Sequence, residues 1–444
     1  MIGQLRPARR RLGLGLAAAA LALLPAVGLP AAAQARWSSP FEFAKPGTLD
    51  VVAPVLAVSA SGSAAAAFGL ADVDTPGLSQ AYVTLRRAHG APGNPIAIPG
   101  TQQVLAAAYD RGSLELLTGV APAGQTCCSS AQAVQVSGRG GVAPAHTLVS
   151  GLAGATQGRL LTLKNGQMLA AVATERGVWV AQSAKANRFA GQHLLTRGGQ
   201  MPETLAAAWL GAENTIVAWT TANGIAGAAA PRAISYATGS RTRAPHKVRS
   251  AVMVRAGHRI DELGVAARHG GGATAAWIES WFDKKGGYHS RVRAMDIARH
   301  AAVRDISPAN RLASGLSVAG DVDGDQALAW ESCTAQGACQ TQVAGRRAKG
   351  QYGSPRTLGT IDPSQEPAVA VGSHGQVLVG WVRGGHPVAA TAAGAGRRFG
   401  APVTLSSTTF ALDLTVGYGS GRQGLAAWTQ GTLNPSVVGA AYSG

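Results

Sequence analysis

One short pattern recurs along the chain and constrains its fold more than any other feature. A tryptophan follows a short apolar run in "TIVAWTT", "ATAAWIE", "QALAWES", "VLVGWVR" and "GLAAWTQ", at Trp219, Trp277, Trp330, Trp381 and Trp428. The intervals are 58, 53, 51 and 47 residues. Upstream, "AAAAFGL" puts Phe68 in the same role, and "SLELLTG" near Leu117 and "MLAAVAT" near Val172 are weaker copies. Repetition at about fifty residues marks a chain built from copies of one supersecondary unit.

The seventh unit, "EPAVAVGSHGQVLVGWVRGGHPVAATAAGAGRRFGAPVTLSS", shows the internal order. Four short apolar runs are separated by turns rich in Gly, Ser and Pro, the signature of strands joined by hairpins. No segment has a helical period. Four antiparallel strands at this repeat length predict a β-propeller blade. The last unit, "ALDLTVGYGSGRQGLAAWTQGTLNPSVVGAAYSG", holds only three runs, and "RWSSPFEFAKPGTLD" near the N-terminus resembles the missing outer one. Pairing the two ends in one blade would close the ring and leave no free edge. The expected fold is therefore all-β: a single propeller of eight four-stranded blades over residues 36–444, with the N-terminal strand closing the last blade. Seven blades is the alternative, because the second and third units are weak and the fourth is irregular.

Residues 1–35 read as a signal peptide. Arg6, Arg9, Arg10 and Arg11 precede an apolar run to about Leu29, and Ala33-Gln34-Ala35 forms a small-residue cleavage site. An N-terminal membrane anchor is the competing reading, and Arg9-Arg10-Arg11-Leu12 partly resembles a twin-arginine signal, so the export route stays open. No second stretch has the length of a membrane helix. The expectation is a secreted or cell-envelope protein, monomeric, with no membrane span after cleavage. The formal net charge of +17 favours contact with acidic polymers, although arginine enrichment from coding bias would give the same number.

An oxidising compartment makes the four cysteines disulfide candidates. Cys333 and Cys339 flank "TAQGA" in the hairpin between the second and third strands of the sixth unit, where a bond would contribute about 2 kcal/mol in the chain-entropy model. A zinc site would need further ligands that this hairpin lacks. Cys127 and Cys128 occupy the matching hairpin of the second unit and are read as a vicinal disulfide or as free thiols. Just before Trp330, "GDVDGD" brings Asp321, Asp323 and Asp325 into one turn. They are candidates for calcium, the only cofactor the sequence suggests.

Binding candidates follow from the repeat. In a propeller, the loop entering the innermost strand and the hairpin between strands two and three share one face. Fifteen residues before the marker tryptophan stand Glu262, Glu366 and Asp413, with Glu203 at sixteen. If the fold holds, these carboxylates ring the channel mouth. They would bind a cation or a basic ligand, do acid–base work if crowding raises one pKa, or cap backbone N–H groups of neighbouring blades. On the same face, "ESWFDKKGGYHSRVR" offers Trp281, Phe282 and Tyr288 beside Lys284, Lys285, His289 and Arg291. That set suits stacking on a sugar or base, or folds onto itself. The catalytic motifs H-E-x-x-H, G-x-S-x-G and the P-loop are absent.

The architecture resembles secreted propellers of the sialidase-like kind. Their Asp-box turn has the pattern S-x-D-x-G-x-T-W; the nearest stretch here, "GSHGQVLVGW", lacks the aspartate, and its tryptophan stands six residues after the glycine. "GDVDGDQALAW" resembles part of the calcium turns of integrin-type propellers, with Gln326 where those place a glycine. No family motif is complete. Three functions are expected in competition. The first is a non-catalytic propeller that binds an anionic polymer, a glycan or an envelope protein. The second is a glycan-processing hydrolase or lyase using the mouth carboxylates. The third is a structural envelope protein.

Overall fold

The computed structural model describes residues 36–444 except 46–49, 72–78, 111, 122–127, 152–154, 163–165, 186–187, 197–201, 212–213, 223–230, 298–300, 420–422 and 433–434. The expected signal peptide and Cys127 lie outside the described residues.

The strands form eight separate antiparallel sheets, so the count is eight blades and not seven. The sixth is typical. β23 (Leu312–Gly320), β24 (Gln326–Cys333), β25 (Cys339–Arg346) and β26 (Arg356–Thr360) lie side by side in chain order. The fourth unit, irregular in sequence, is a sheet of long strands: β15 (Pro202–Trp209), β16 (Asn214–Ala222), β17 (Pro231–Ser240) and β18 (Arg243–Met253). The last blade joins strands from both ends of the described residues. β31 (Ala411–Tyr418), β32 (Gln423–Gln430) and β33 (Ser436–Ser443) are completed by β1 (Arg36–Trp37) and β2 (Phe41–Ala44), which both pair with β33. The described residues contain no α-helix, and no helix long and apolar enough to cross a membrane.

Sheets this small cannot bury their faces alone. Each therefore packs on its neighbours, and the buried apolar residues fall into eight clusters. Trp330 on β24 is completely buried against Ala276, Ile278 and Val292 of the fifth blade. Trp277 packs on the fourth blade, Trp381 on the sixth and Trp428 on the seventh. Phe68 sits with Leu425, Ala427 and Val437 of the eighth blade, and Phe43 of β2 joins that cluster. This last interface closes the ring. The marker thus faces the preceding blade every time. In the second blade the residue in that role is Leu116, which packs on the first blade. Leu117, the position suggested by sequence, points the other way, toward the third blade.

The marker indoles differ in one respect. The Trp381 N–H donates to the Thr360 carbonyl (3.0 Å), whereas that of Trp330 finds no acceptor. Trp381→Phe should therefore cost about 1 kcal/mol more than Trp330→Phe, read as a larger fall in thermal midpoint by calorimetry. Equal falls would mean that the Thr360 bond contributes nothing.

Candidate functional site

The innermost strands share an irregularity that builds the channel mouth. In seven blades the pairing of the first strand with the second slips near its start. In β19 (His258–Arg268) the slip lies between Ile260 and Glu262, in β23 between Ser314 and Ser317, and in β31 between Leu412 and Thr415. Such bulges bend the strand and leave amides without a ladder partner. A buried amide without an acceptor is costly, so side chains from neighbouring strands take the role.

Glu262 performs it. Its Oε1 accepts from Gly315 N (2.9 Å) and its Oε2 accepts from Leu316 N, both in the bulge of the next blade. Gln157 of the third blade does the same two interfaces earlier, accepting from Leu205 N of the fourth at 2.8 Å. Gly315 stands fifteen residues before Trp330, in the register of the carboxylates. Its φ is +61°, and a Cβ there would come within 3.2 Å of the Glu366 Cα and Cγ. Glycine meets both demands, a left-handed backbone and a close neighbour. Its missing side chain lets Glu366 of the seventh blade approach the capped bulge.

The expected carboxylates therefore behave differently from one another. Burial pushes Glu262 up to about 6 against the pull of its two backbone bonds, and the charge of Glu366 adds to the rise. Glu366 itself is exposed. Glu203 is tied at 3.6 Å to Arg259 of the fifth blade, whose Nε also holds Asp261 at 2.5 Å. Partial enclosure raises Asp413, which has a left-handed φ of 51°. The four do not form one ring of equivalent ligands: Glu262 and Glu366 share a field, while Glu203 is held by arginine.

A third member of the acidic group has no counterpart in the register. Glu331, next to the marker Trp330, is buried and accepts from the Ser314 hydroxyl at 2.6 Å. Burial raises it, and Glu366 contributes. Its position directly after the marker on an acid-poor chain was the available signal. The group lies beside the Cys333–Cys339 disulfide, whose cysteines face each other across β24 and β25. Cys128 is also disulfide-bonded. Glu331 with these two sulfurs is the one group of three potential metal ligands among the described residues, and the disulfide consumes two of its members.

The calcium candidates lie elsewhere. Asp321, Asp323 and Asp325 occupy the turn between β23 and β24, at the opposite end of the blade. Asp321 Oδ1 accepts from the backbone N–H of Asp323 (3.0 Å), Gly324 (2.8 Å) and Asp325 (2.9 Å). Asp325 Oδ1 accepts from Ala348 N at 2.8 Å. The Asp321 and Asp325 carboxylates order the turn, and the three aspartates are not among the grouped potential ligands of the described residues.

The fifth-blade hairpin joins β20 (Gly272–Phe282) and β21 (Tyr288–Asp296). Its sequence suggests Trp281 as an exposed platform, but both faces of the indole are occupied. His258 stacks on it at 4.9 Å and His289 at 5.3 Å, and Arg291 lies 4.6 Å from the ring centre. The three rings occupy one registered row across β19, β20 and β21. His258 in turn bonds the buried Glu279 at 2.6 Å, and Arg293 joins Glu279 to Asp305 at 2.7 Å each. Arg291 is likewise paired with Asp305 at 2.7 Å. Asp283 accepts from the amides of Lys285 and Gly287, and this ties the tip. Phe282 and Tyr288 remain outside: they are 70% and 45% exposed, in contact at 5.4 Å with rings tilted by 57°. Lys284 and Lys285 are exposed beside them.

No protein-family model matches the sequence, and no curated protein matches it. Solved structures superpose on most of the chain. The polysaccharide lyase Uly1 superposes with a TM-score of 0.50 at 9% identity, over 91% of this chain and 99% of that one. An ulvan lyase of a new polysaccharide lyase family (PL25), bound to -[GlcA(1-4)Rha3S]-, gives 0.48 at 11% identity, over 90% and 95%. The Hadza microbial sialidase Hz136 gives 0.40 at 12%, over 92% and 91%. At 9% identity the likeness to Uly1 is one of fold alone.

Glu262 should titrate near 6, and Glu366→Gln should lower it by the part that the Glu366 charge adds, with burial keeping the rest of the rise. Carboxyl carbon NMR on glutamate-labelled protein reads this directly. The folded state favours protonated Glu262, so its contribution to stability is present below about pH 4.5 and is lost as pH rises through 6, roughly 2 kcal/mol. Glu366→Gln should therefore stabilise the protein at pH 7 and leave it unchanged at pH 4.

Proposed function

We propose that the chain is an exported propeller that binds a glycan on the face carrying the mouth carboxylates and the fifth-blade hairpin, without cleaving it. The observation that carries this reading is the exposed Phe282–Tyr288 pair on a hairpin locked from below. Aromatic side chains held rigid and solvent-facing offer apolar planes at low entropic cost. The stack of His258, Trp281 and His289 holds the strands beneath them. Lys284 and Lys285 add donors for hydroxyl or acidic groups. Glu366 is an exposed acceptor on the same face.

The mouth carboxylates argue against cleavage. Glu262 spends both oxygens on backbone amides, Glu331 holds Ser314, and Glu203 is tied to Arg259. An acid–base pair needs two groups with free access to one bond. The N-terminal stretch that reads as a signal peptide and the disulfide bonds support export. The shared architecture with Uly1, which is named as a polysaccharide lyase, agrees with a glycan ligand, but function rests on sites and not on folds.

A glycan-cleaving reading has one observation in its favour. Glu262, near 6, stands beside an unengaged Glu366, and two carboxylates with unlike environments are the raw material of acid–base catalysis.

A panel of neutral and uronate-bearing oligosaccharides separates these readings. Binding to at least one member should fall tenfold or more in Phe282→Ala/Tyr288→Ala at an unchanged thermal midpoint, with no cleavage products. Equal binding by the double variant would remove the hairpin from the site. Product formation abolished by Glu366→Gln would establish the catalytic reading. Binding to no member would leave a structural role.

A further inference from the structure

A cavity of about 300 Å³ opens at the seam between the eighth and first blades, where the first and last described strands meet. It lies at the blade end opposite the carboxylates, because its walls come from the start of β32, the end of β33 and the end of β5 (Ser79–Arg86). Arg36, Arg86, His89 and Gln423 supply its polar lining, and Trp37 and Tyr442 supply aromatic walls. The two rings are 5.3 Å apart and tilted by 49°. Among the described residues that line it there is no aspartate or glutamate.

Uncompensated cations in a concave site are unusual, because burying a charge without a partner is costly. The Arg86 guanidinium is half-buried. One face lies over the Phe41 ring, 4.8 Å from its centre, its Nε has no acceptor, and burial lowers its pKa. The equivalent end of the cleft between the fifth and sixth blades makes the contrast. There Arg268 and Arg346 are also partly enclosed, but Asp296 sits between them at 3.0 and 2.9 Å, so their charge is spent inside the protein. Among the described residues lining the seam cavity no such acid is supplied. His89 is held in a left-handed conformation, φ 58°, with its Nε2 2.7 Å from the Gln423 side-chain nitrogen.

We propose that this seam cavity binds an oxyanion carried on a small ring, such as a uronate or a sulfated sugar. The Arg86 fork is matched in geometry to a carboxylate or sulfate, Arg36 adds a second cation, and Trp37 and Tyr442 flank the ring. The site is distinct from the hairpin site, with different residues on the opposite face.

Equilibrium dialysis in low salt tests this with three probes: a galacturonic acid tetramer, inorganic sulfate and neutral maltotetraose. The Phe282→Ala/Tyr288→Ala protein serves as background, so the hairpin face cannot contribute. The acidic tetramer should bind, and Arg86→Gln should weaken it at least tenfold. Arg36→Gln, at an exposed position, should weaken it several-fold. Undiminished binding in both variants would overturn the proposal. So would equal binding of maltotetraose. Sulfate binding as tightly as the tetramer would overturn the sugar component and leave a free-anion site. The Arg36 variant keeps the test decisive if Arg86→Gln fails to fold.

Discussion

Everything in this molecule rests on one large side chain per blade buried against the blade before it. A four-stranded sheet of this size exposes apolar residues on both faces, and only a neighbour on each side covers them. Trp330 between the fifth and sixth blades and Trp381 between the sixth and seventh do this with the largest side chain available. The second and third blades use Leu116 and Val172, with Met168, Leu148 and Phe189 filling the remaining volume. A chain of such interfaces gains most when it closes. The Phe68 and Phe43 cluster closes it by joining residues from both ends of the described chain. Parting the blades at this seam would bare two apolar faces at once.

The innermost strands meet a different constraint. Their bulges free amides that the ladder cannot satisfy, and the side chains at the mouth answer to that need first. This changes the meaning of an acidic ring. Glu262 is placed by the amides of Gly315 and Leu316, and its raised pKa follows from burial under Glu366. Exposed aromatic surface is found where the backbone is already satisfied, on a hairpin stiffened by a histidine–tryptophan–histidine stack. The proposed glycan binding accordingly falls to the hairpin, while the mouth side chains support the backbone. The seam cavity, with cations that no internal acid compensates, stands apart from both.

The blade count and the closing strand were legible because a repeat writes the same side chain at the same place many times, and a buried tryptophan tolerates few substitutes. The position of Leu116 was not, since "SLELLTG" offers two adjacent leucines and a one-residue slip reverses which blade each faces. Spacing alone found Glu262 and Glu366, because both follow the repeat register. It did not reveal that Glu262 caps amides, which depends on a bulge in another blade. Glu331 escaped because its neighbours arrive from β23 and from the seventh blade. Trp281 looked exposed because it lies off the marker position; the two histidines that cover it are 23 residues before it and 8 after, a pairing that only strand register reveals. The seam cavity was invisible for the same reason, with Arg86 and Tyr442 at opposite ends of the chain.

Whether the mouth carboxylate is a backbone tie or a free chemical group is open to direct measurement. Hydrogen exchange of the peptide covering 312–318 reports on the Gly315 and Leu316 amides. In Glu262→Ala, exchange there should accelerate markedly, with the rest of the sixth blade unchanged. Exchange equal to that of the native protein would contradict the tie, and would return Glu262 to the pool of groups free to act on a ligand.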